Sequence, residues 1–220
     1  APDYVLLPRD QLAAFVEAAR QEARRGYPAG LADANFCSVV NERHYARLVH
    51  ELEEAVARGT RSECLFDGAA RDDASHRLAP TLLVDPPADC GAMRDEIFGP
   101  LLPLVPYDRL EDAISFVNAR PHPLALYWFD HDARRVDEAL HRLPAGGLTV
   151  NDTLLHIPQQ SLPFGGVGAS GMGHYHGQWG FDTFSKLKPV FRQSRLNGMA
   201  LFLPPYRPLM RRLLALMKRY

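Results

Sequence analysis

The sequence predicts an α/β fold in which a mostly parallel sheet is covered by helices. Three observations carry that expectation. Between Leu110 and Asn151 helical and strand patterns alternate, which requires crossover connections. Between Cys64 and Pro106 short apolar runs are separated by Gly, Asp and Pro clusters, as strands are. Two amphipathic helical patterns precede them.

In order, Asp3 to Leu7 reads as a short inner strand closed by Pro8. Leu12, Phe15, Val16 and Ala19 then fall at helical spacing, with Asp10 placed to cap the start and Gly26 to end it. A loop around Pro28 and Gly30 leads to a second helix from near Asn41 to Gly59. It carries Tyr45, Leu48, Val49, Leu52 and Val56 on one stripe and its charges on the other face. Strand-like runs follow at Cys64-Leu65-Phe66, Leu78 to Val84 and Leu101 to Val105. Next come a helix through Leu110, Ala113, Ile114 and Val117, a strand from Leu124 to Phe129, a helix through Val136, Ala139, Leu140 and Leu143, and a strand from Leu148. That strand ends at Asn151, which reads as a residue bonding loop backbone. After Pro204-Pro205 and Pro208, the stripe Leu209, Met210, Leu213, Leu214 and Met217 is flanked by Arg207, Arg211, Arg212, Lys218 and Arg219. This is a short basic amphipathic helix beginning near Tyr206, fit to dock on its own protein, to cover a pocket, or to meet a partner or membrane surface.

Composition narrows the function. The 220 residues, 46% apolar, bury one substantial core. A net charge of -1, from 25 basic and 26 acidic residues, leaves no global field for a polyanion, so nucleic acid is not an expected partner. Cys37, Cys64 and Cys90 are odd in number, lack paired CxxC spacing and suit a reducing compartment, which points to the cytoplasm. No run approaches the roughly 18 apolar residues of a membrane span. The chain opens at Ala1 directly into Tyr4-Val5-Leu6-Leu7, the pattern expected of a chain entered in mid-domain.

Glu96-Ile97-Phe98-Gly99-Pro100 sets a carboxylate and an aromatic ring beside a Gly-Pro turn. Gly166-Val167-Gly168-Ala169-Ser170-Gly171 satisfies GxGxxG, yet its context is wrong for a dinucleotide loop. Gln159 to Pro163 is a poor strand, Gly173, Gly177 and Gly180 keep breaking helix beyond it, and Asp182 comes too soon for the ribose acid. A tight, close-packed glycine loop is the expectation. His174 and His176 flank Tyr175 without a third ligand at metal spacing, so a loop histidine lining a pocket or bonding a carbonyl is expected there. None of the three cysteines stands in a setting that marks a nucleophile.

Several segments together resemble aldehyde dehydrogenases, more narrowly the class 3 group that includes fatty-aldehyde and bacterial coniferyl-aldehyde dehydrogenases. They are Glu96 to Pro100, Pro123 to Tyr127, Gly146 to Asp152, the glycine loop Leu162 to Gly173, Tyr175-His176-Gly177 and Phe181 to Ser185. The resemblance runs from Ala1 to about Ser194 and implies an enzyme oxidising an aldehyde, aromatic or medium-to-long aliphatic, with NAD or NADP as cofactor. In that family a cysteine attacks the aldehyde, hydride passes to the cofactor, and water activated by a glutamate hydrolyses the thioester. By the same resemblance Glu96 binds the nicotinamide ribose hydroxyls and Phe98 packs near the nicotinamide. Phe164 and His176 line the aldehyde tunnel, with Ile157 beside them.

The family's Gly-Gln-x-Cys nucleophile, its general-base glutamate and its N-terminal cofactor domain would all fall upstream of Ala1. The implied organisation is a catalytic-domain portion over 1–187, an oligomerisation strand over 188–195 that makes the parent a homodimer, and an extension over 196–220 with the basic helix. Such a chain is expected to be inactive alone. A different expectation remains open, that of a non-enzymatic binding or dimerisation module retaining the fold; a thiol hydrolase using one of the three cysteines is another.

Overall fold

The computed structural model describes residues 1–199, 203–205 and 208–218. They form two compact units, residues 1–183 and 184–220. Chain order in the first is β1 (Val5–Pro8), α1 (Leu12–Gly26), α2 (Glu42–Ala57), β2 (Arg61–Cys64), β3 (Arg71–Asp72), β4 (Arg77–Leu78), β5 (Thr81–Val84) and α3 (Gly91–Arg94). It continues through β6 (Leu101–Tyr107), α4 (Leu110–Asn118), β7 (Ala125–Trp128), α5 (Ala133–Arg142), β8 (Gly147–Val150) and α6 (Gly177–Thr183). The second unit holds α7 (Pro208–Met217). Tyr206, Arg207 and Arg219, assigned above to the start and flanks of this helix, lie outside the described residues.

The main sheet has the order β1-β6-β5-β2. β6 runs parallel to both β1 and β5, while β2 closes the edge antiparallel. β7 and β8 form a separate parallel pair and β3 and β4 a small hairpin. The expected α/β architecture is present, mixed at one edge.

β6 sits between two neighbours yet contains Pro103 and Pro106, which cannot donate to a ladder. The Leu104 carbonyl accepts from Asp85, so even-numbered residues of β6 face β5. Pro106 therefore points past the end of β5 at Val84, and Pro103 toward β1 just before its first paired residue, Val5. Both prolines stand where the ladder has no partner to lose.

All four β5 residues are buried, because helices cover both faces. On one face Leu82, Val84, Leu104 and Leu7 pack against Val16 and the partly buried Leu12 and Phe15 of α1. On the other, Leu83 meets Ala55, Cys90 and Ala92, and Leu101 meets Tyr45 and Leu48. Leu6 of β1 joins Ile114, Val117, Ala139 and Leu143 under α4 and α5.

Several local expectations change. Asp10 caps nothing: it lies inside a single 3-10 turn, Arg9–Gln11, that runs straight into α1. In α2 the stripe swings to Tyr45, Leu48, Glu51 and Ala55, leaving Val56 exposed and burying a charge. The small Ala55, not Val56, fits over Leu83. Leu140 of α5 is likewise exposed. Cys64 ends β2, and Leu65 and Phe66 are buried beyond it, Phe66 edge-on to Tyr27 and Phe36 at 5.9 and 5.0 Å. Gly180 lies within α6 and does not break it.

Asn151 does what the sequence implies. At φ 57° it turns the chain out of β8, its Oδ1 accepts from the Asp130 amide and its Nδ2 donates to the Asp130 carbonyl, both at 2.9 Å. Asn151→Gly keeps the backbone and loses two exposed bonds, costing about 1 kcal/mol. Asn151→Ala adds left-handed strain, for about 2 kcal/mol in all. Urea midpoints check the order; equal losses would show that the backbone conformation carries no cost.

Candidate functional site

The turn Asp95 to Pro100 joins α3 to β6, and its centre is fixed from two distant parts of the chain. Ile97 is buried, its amide donates to Asp3 Oδ1 at 3.2 Å, and its carbonyl accepts from Arg47 Nη2 at 2.6 Å. Arg47 is itself held by Glu51 Oε1 at 2.6 Å. Glu51 is only 4% exposed, and its other oxygen has no partner among the described residues. Burial pushes the Glu51 carboxyl up, against the pull of Arg47. Gly99 has no room for a side chain, since a Cβ there would strike the buried Leu48 side chain.

With its neighbours pinned, Phe98 takes φ 46° and remains 66% exposed. A bulky residue in the left-handed region, presenting its ring to solvent, is an outlier that surrounding structure has to enforce. Glu96 beside it is exposed and its carboxylate makes no ion pair or hydrogen bond among the described residues. His44 of α2 approaches the Phe98 ring at 6.4 Å, and its Nδ1 is buried without a partner among the described residues. The arrangement offers one free carboxylate next to one free aromatic face.

A second cluster forms around Phe164. Phe164 and Tyr175 exchange backbone hydrogen bonds at 3.0 and 2.8 Å, closing the glycine loop between them. Inside it a Cβ on Gly165 would strike the Gly173 carbonyl, and one on Gly166 would strike the Ser170 backbone. The expected tight loop is therefore backbone packed on backbone, and its effect is to lay His176 against Phe164, rings stacked at 5.8 Å and 24°. His176 has φ 85°, and its Nδ1 is buried without a partner among the described residues.

His156 reaches the same ring at 5.9 Å. It is 8% exposed, and its Nδ1 lies 2.7 Å from Thr149 Oγ1 on β8. Its Nε2 has no partner among the described residues, and a Cβ on Gly147 would come within 2.8 Å of its Cδ2. Burial holds the His156 imidazole below its ordinary pKa. Ile157, half-buried, follows in a turn closed by its amide on the Leu154 carbonyl at 2.9 Å.

Of the residues singled out from sequence, Glu96 and Phe98 share one turn and Phe164 and His176 one stack, with Ile157 adjoining it through His156. The sequence reading missed Asp3, Arg47, His44 and His156. The aspartate and arginine act through a backbone amide and carbonyl far along the chain, which no local pattern announces. His156 sits in an unremarkable loop, and only the bare Gly146-Gly147 pair opposite it hinted at a close approach.

Comparison with known proteins places these clusters in context. The profile of the aldehyde dehydrogenase family matches residues 1–190. A probable coniferyl aldehyde dehydrogenase of Pseudomonas aeruginosa is 45% identical over 207 residues, covering 94% of this chain and 42% of that protein. Aldehyde dehydrogenase family 3 member A2 of Rattus norvegicus is 38% identical over 190 residues, covering 86% and 38%. Among solved structures, the substrate-bound state of Staphylococcus aureus AldH superposes with TM-score 0.81 at 36% identity, over 99% of this chain and 46% of that one. The chain thus spans less than half the length of the relatives it matches.

The clamp on Ile97 predicts unequal losses. Arg47→Met strands the buried Glu51 charge and frees the turn, costing about 2–3 kcal/mol once Arg47's partial exposure is allowed for. Glu51→Gln keeps a hydrogen bond to Arg47 while removing the charge, and costs less. Denaturant midpoints compare them; a costlier Glu51→Gln would show that Arg47 does not hold the turn. For His156, whose folded pKa lies below its ordinary 6.5, the stabilisation of the neutral ring is complete above pH 6.5. It is lost as pH falls from there through the lowered folded value. Relative to His156→Gln, the wild-type chain should lose stability between pH 7.5 and 5; parallel curves would place His156 in water.

Proposed function

The chain belongs to the aldehyde dehydrogenase family, on its class 3 side, and from that premise we propose that it forms most of the catalytic domain of an enzyme oxidising an aldehyde to its carboxylic acid with NAD or NADP. The observation that carries the reading is the turn at Glu96 to Pro100. A free carboxylate accepts from two vicinal ribose hydroxyls, and an exposed ring fixed in a costly conformation positions a flat heterocycle. The residues present therefore suit a nicotinamide cofactor, whose contribution when bound is to accept hydride. Phe164 and His176, with Ile157, line the aldehyde tunnel; their stacked rings favour an aromatic aldehyde, in keeping with relatives named for coniferyl aldehyde.

The nucleophile is not assigned within these 220 residues. The Cys90 thiol is buried and pushed up by that burial, Cys64 Sγ donates to the Phe66 carbonyl at 3.5 Å, and Cys37 lies in an exposed loop with no basic partner among the described residues. We assign the attack on the carbonyl carbon to a cysteine, and activation of the hydrolytic water to a glutamate, in the portion that the longer relatives carry in addition. Alone, the 220 residues are inactive. Residues 1–187 belong to the catalytic domain, 188–195 supply a strand to a homodimer, and 196–220 extend beyond it. In support of that strand, Leu187, Val190 and Phe191 are exposed and residues 186–194 have no regular structure of their own. The three free thiols suit the cytoplasm.

Glu96→Gln tests the site in the full-length enzyme. Two hydrogen bonds to a charged acceptor become weaker neutral ones, so kcat/KM at subsaturating cofactor falls about tenfold or more, while the melting temperature holds. Unchanged kinetics would remove the cofactor assignment.

A further inference from the structure

Strand β8 carries a layered set of rings. Gly147 and Thr149 are two residues apart on it and so share one face. His156 lies along that face. Its Nδ1 is 2.7 Å from Thr149 Oγ1, and a Cβ on Gly147 would come within 2.8 Å of its Cδ2 and 3.1 Å of its Nε2. The Phe164 ring follows at 5.9 Å, tilted 40° from the imidazole, and His176 stacks on Phe164 in turn. Tyr127 of β7 borders His156 at 6.1 Å, and Tyr175 meets Phe164 edge-on at 5.2 Å. Contacts therefore run from the β8 backbone through His156 to the two rings assigned to the aldehyde tunnel.

Packing alone does not account for a histidine at the base of this stack. Whichever nitrogen carries the proton, Thr149 satisfies only Nδ1, and Nε2 stays buried without a partner among the described residues. A leucine would fill the slot without that desolvation cost. The imidazole does what a leucine cannot: it is flat, and Thr149 fixes its rotation.

We propose that His156 is a positioning residue of the aldehyde site: as a neutral ring seated on β8, it sets the angle and height at which Phe164 and His176 present their faces to a flat aldehyde. This rests on the reading of Phe164 and His176 as tunnel walls, and extends it to a residue that acts through them. Protonation undoes the seat, because the buried ring would then carry a charge and a hydrogen on both nitrogens, with an acceptor for only one. Burial is the cause that holds this imidazole below its ordinary pKa, and no carboxylate bonds to it among the described residues. The titratable groups around it are Tyr127, whose hydroxyl burial pushes up, and, beyond Phe164, Tyr175 and His176. The ring is thus mostly neutral at pH 6.5 and takes up its proton as pH falls through the lowered folded value.

Paired substrates test the proposal in the full-length enzyme, with cinnamaldehyde as the flat aldehyde and propanal as the small flexible one. His156→Gln can still bond Thr149 but has no ring. At about pH 7.5 it raises KM for cinnamaldehyde about tenfold, while kcat, the cofactor KM and the propanal KM move about twofold or less. Gly147→Ala, which pushes an intact imidazole off β8, does the same. The ratio of the two kcat/KM values cancels ionisations common to both substrates. In the wild type that ratio falls several-fold between about pH 7 and about pH 5, and in His156→Gln it stays level. A level ratio in the wild type, a ratio that still falls in His156→Gln, or an equal loss for both aldehydes in the two variants overturns the proposal. The wild-type ratio needs no substitution, so a variant that misfolds leaves the test standing. Phe164→Ala separates this inference from the reading beneath it. A raised cinnamaldehyde KM there with none in His156→Gln removes the positioning role alone, whereas no change in either removes the tunnel assignment as well.

Discussion

The turn from Asp95 to Pro100 depends on holding one buried residue, Ile97, by both of its backbone polar groups. Its amide is taken by Asp3, just ahead of β1, and its carbonyl by Arg47, in the middle of α2. A side-chain hydrogen bond involving an ion is stronger than a neutral one and directional, so one on each of the two peptide groups that flank Ile97 leaves this residue little freedom. The neighbouring residues inherit that rigidity. Leu48 closes over Gly99 from the same helix that supplies Arg47, so packing and polar bonding restrain the turn together.

The aromatic cluster is organised by a different device. Glycines whose missing side chains let one backbone lie on another fold residues 165–174 into a tight loop, and the loop's closure brings Phe164 to Tyr175 and His176. Buried imidazole nitrogens without partners are expensive in a dry site, and His156 and His176 both carry one beside the same phenyl ring. Thr149 fixes one of those rings through its far nitrogen. The two devices, ionic clamp and backbone closure, build rigid walls from loop residues that would otherwise wander.

How much of this was legible in the sequence depended on range. Periodicity located α1, α2, α4, α5 and most strands, because amphipathic spacing is a local property. Asn151 and the glycine loop were readable as well, since turn chemistry resides in the residues themselves. What escaped was set by tertiary fit: Ala55 replacing Val56 over Leu83, Glu51 drawn inward by Arg47, and Gly180 tolerated inside α6. At the site, Glu96, Phe98, Phe164 and His176 came from resemblance to a family. Of the groups that hold or border them, Asp3, Arg47 and His44 lie far along the chain from what they touch, while His156, close to Phe164 in sequence, sits in a loop without a pattern to mark it.

The conformation of Phe98 has a consequence for engineering. A left-handed phenylalanine keeps its ring in water and gains little burial in return, so the position works against thermal tolerance. Random libraries selected for heat resistance would accumulate glycine or asparagine there among their first winners, since both accept that backbone geometry without a bulky ring. Such winners would gain stability and lose the exposed ring. A selection scheme meant to keep the ring therefore has to exclude this codon from mutagenesis.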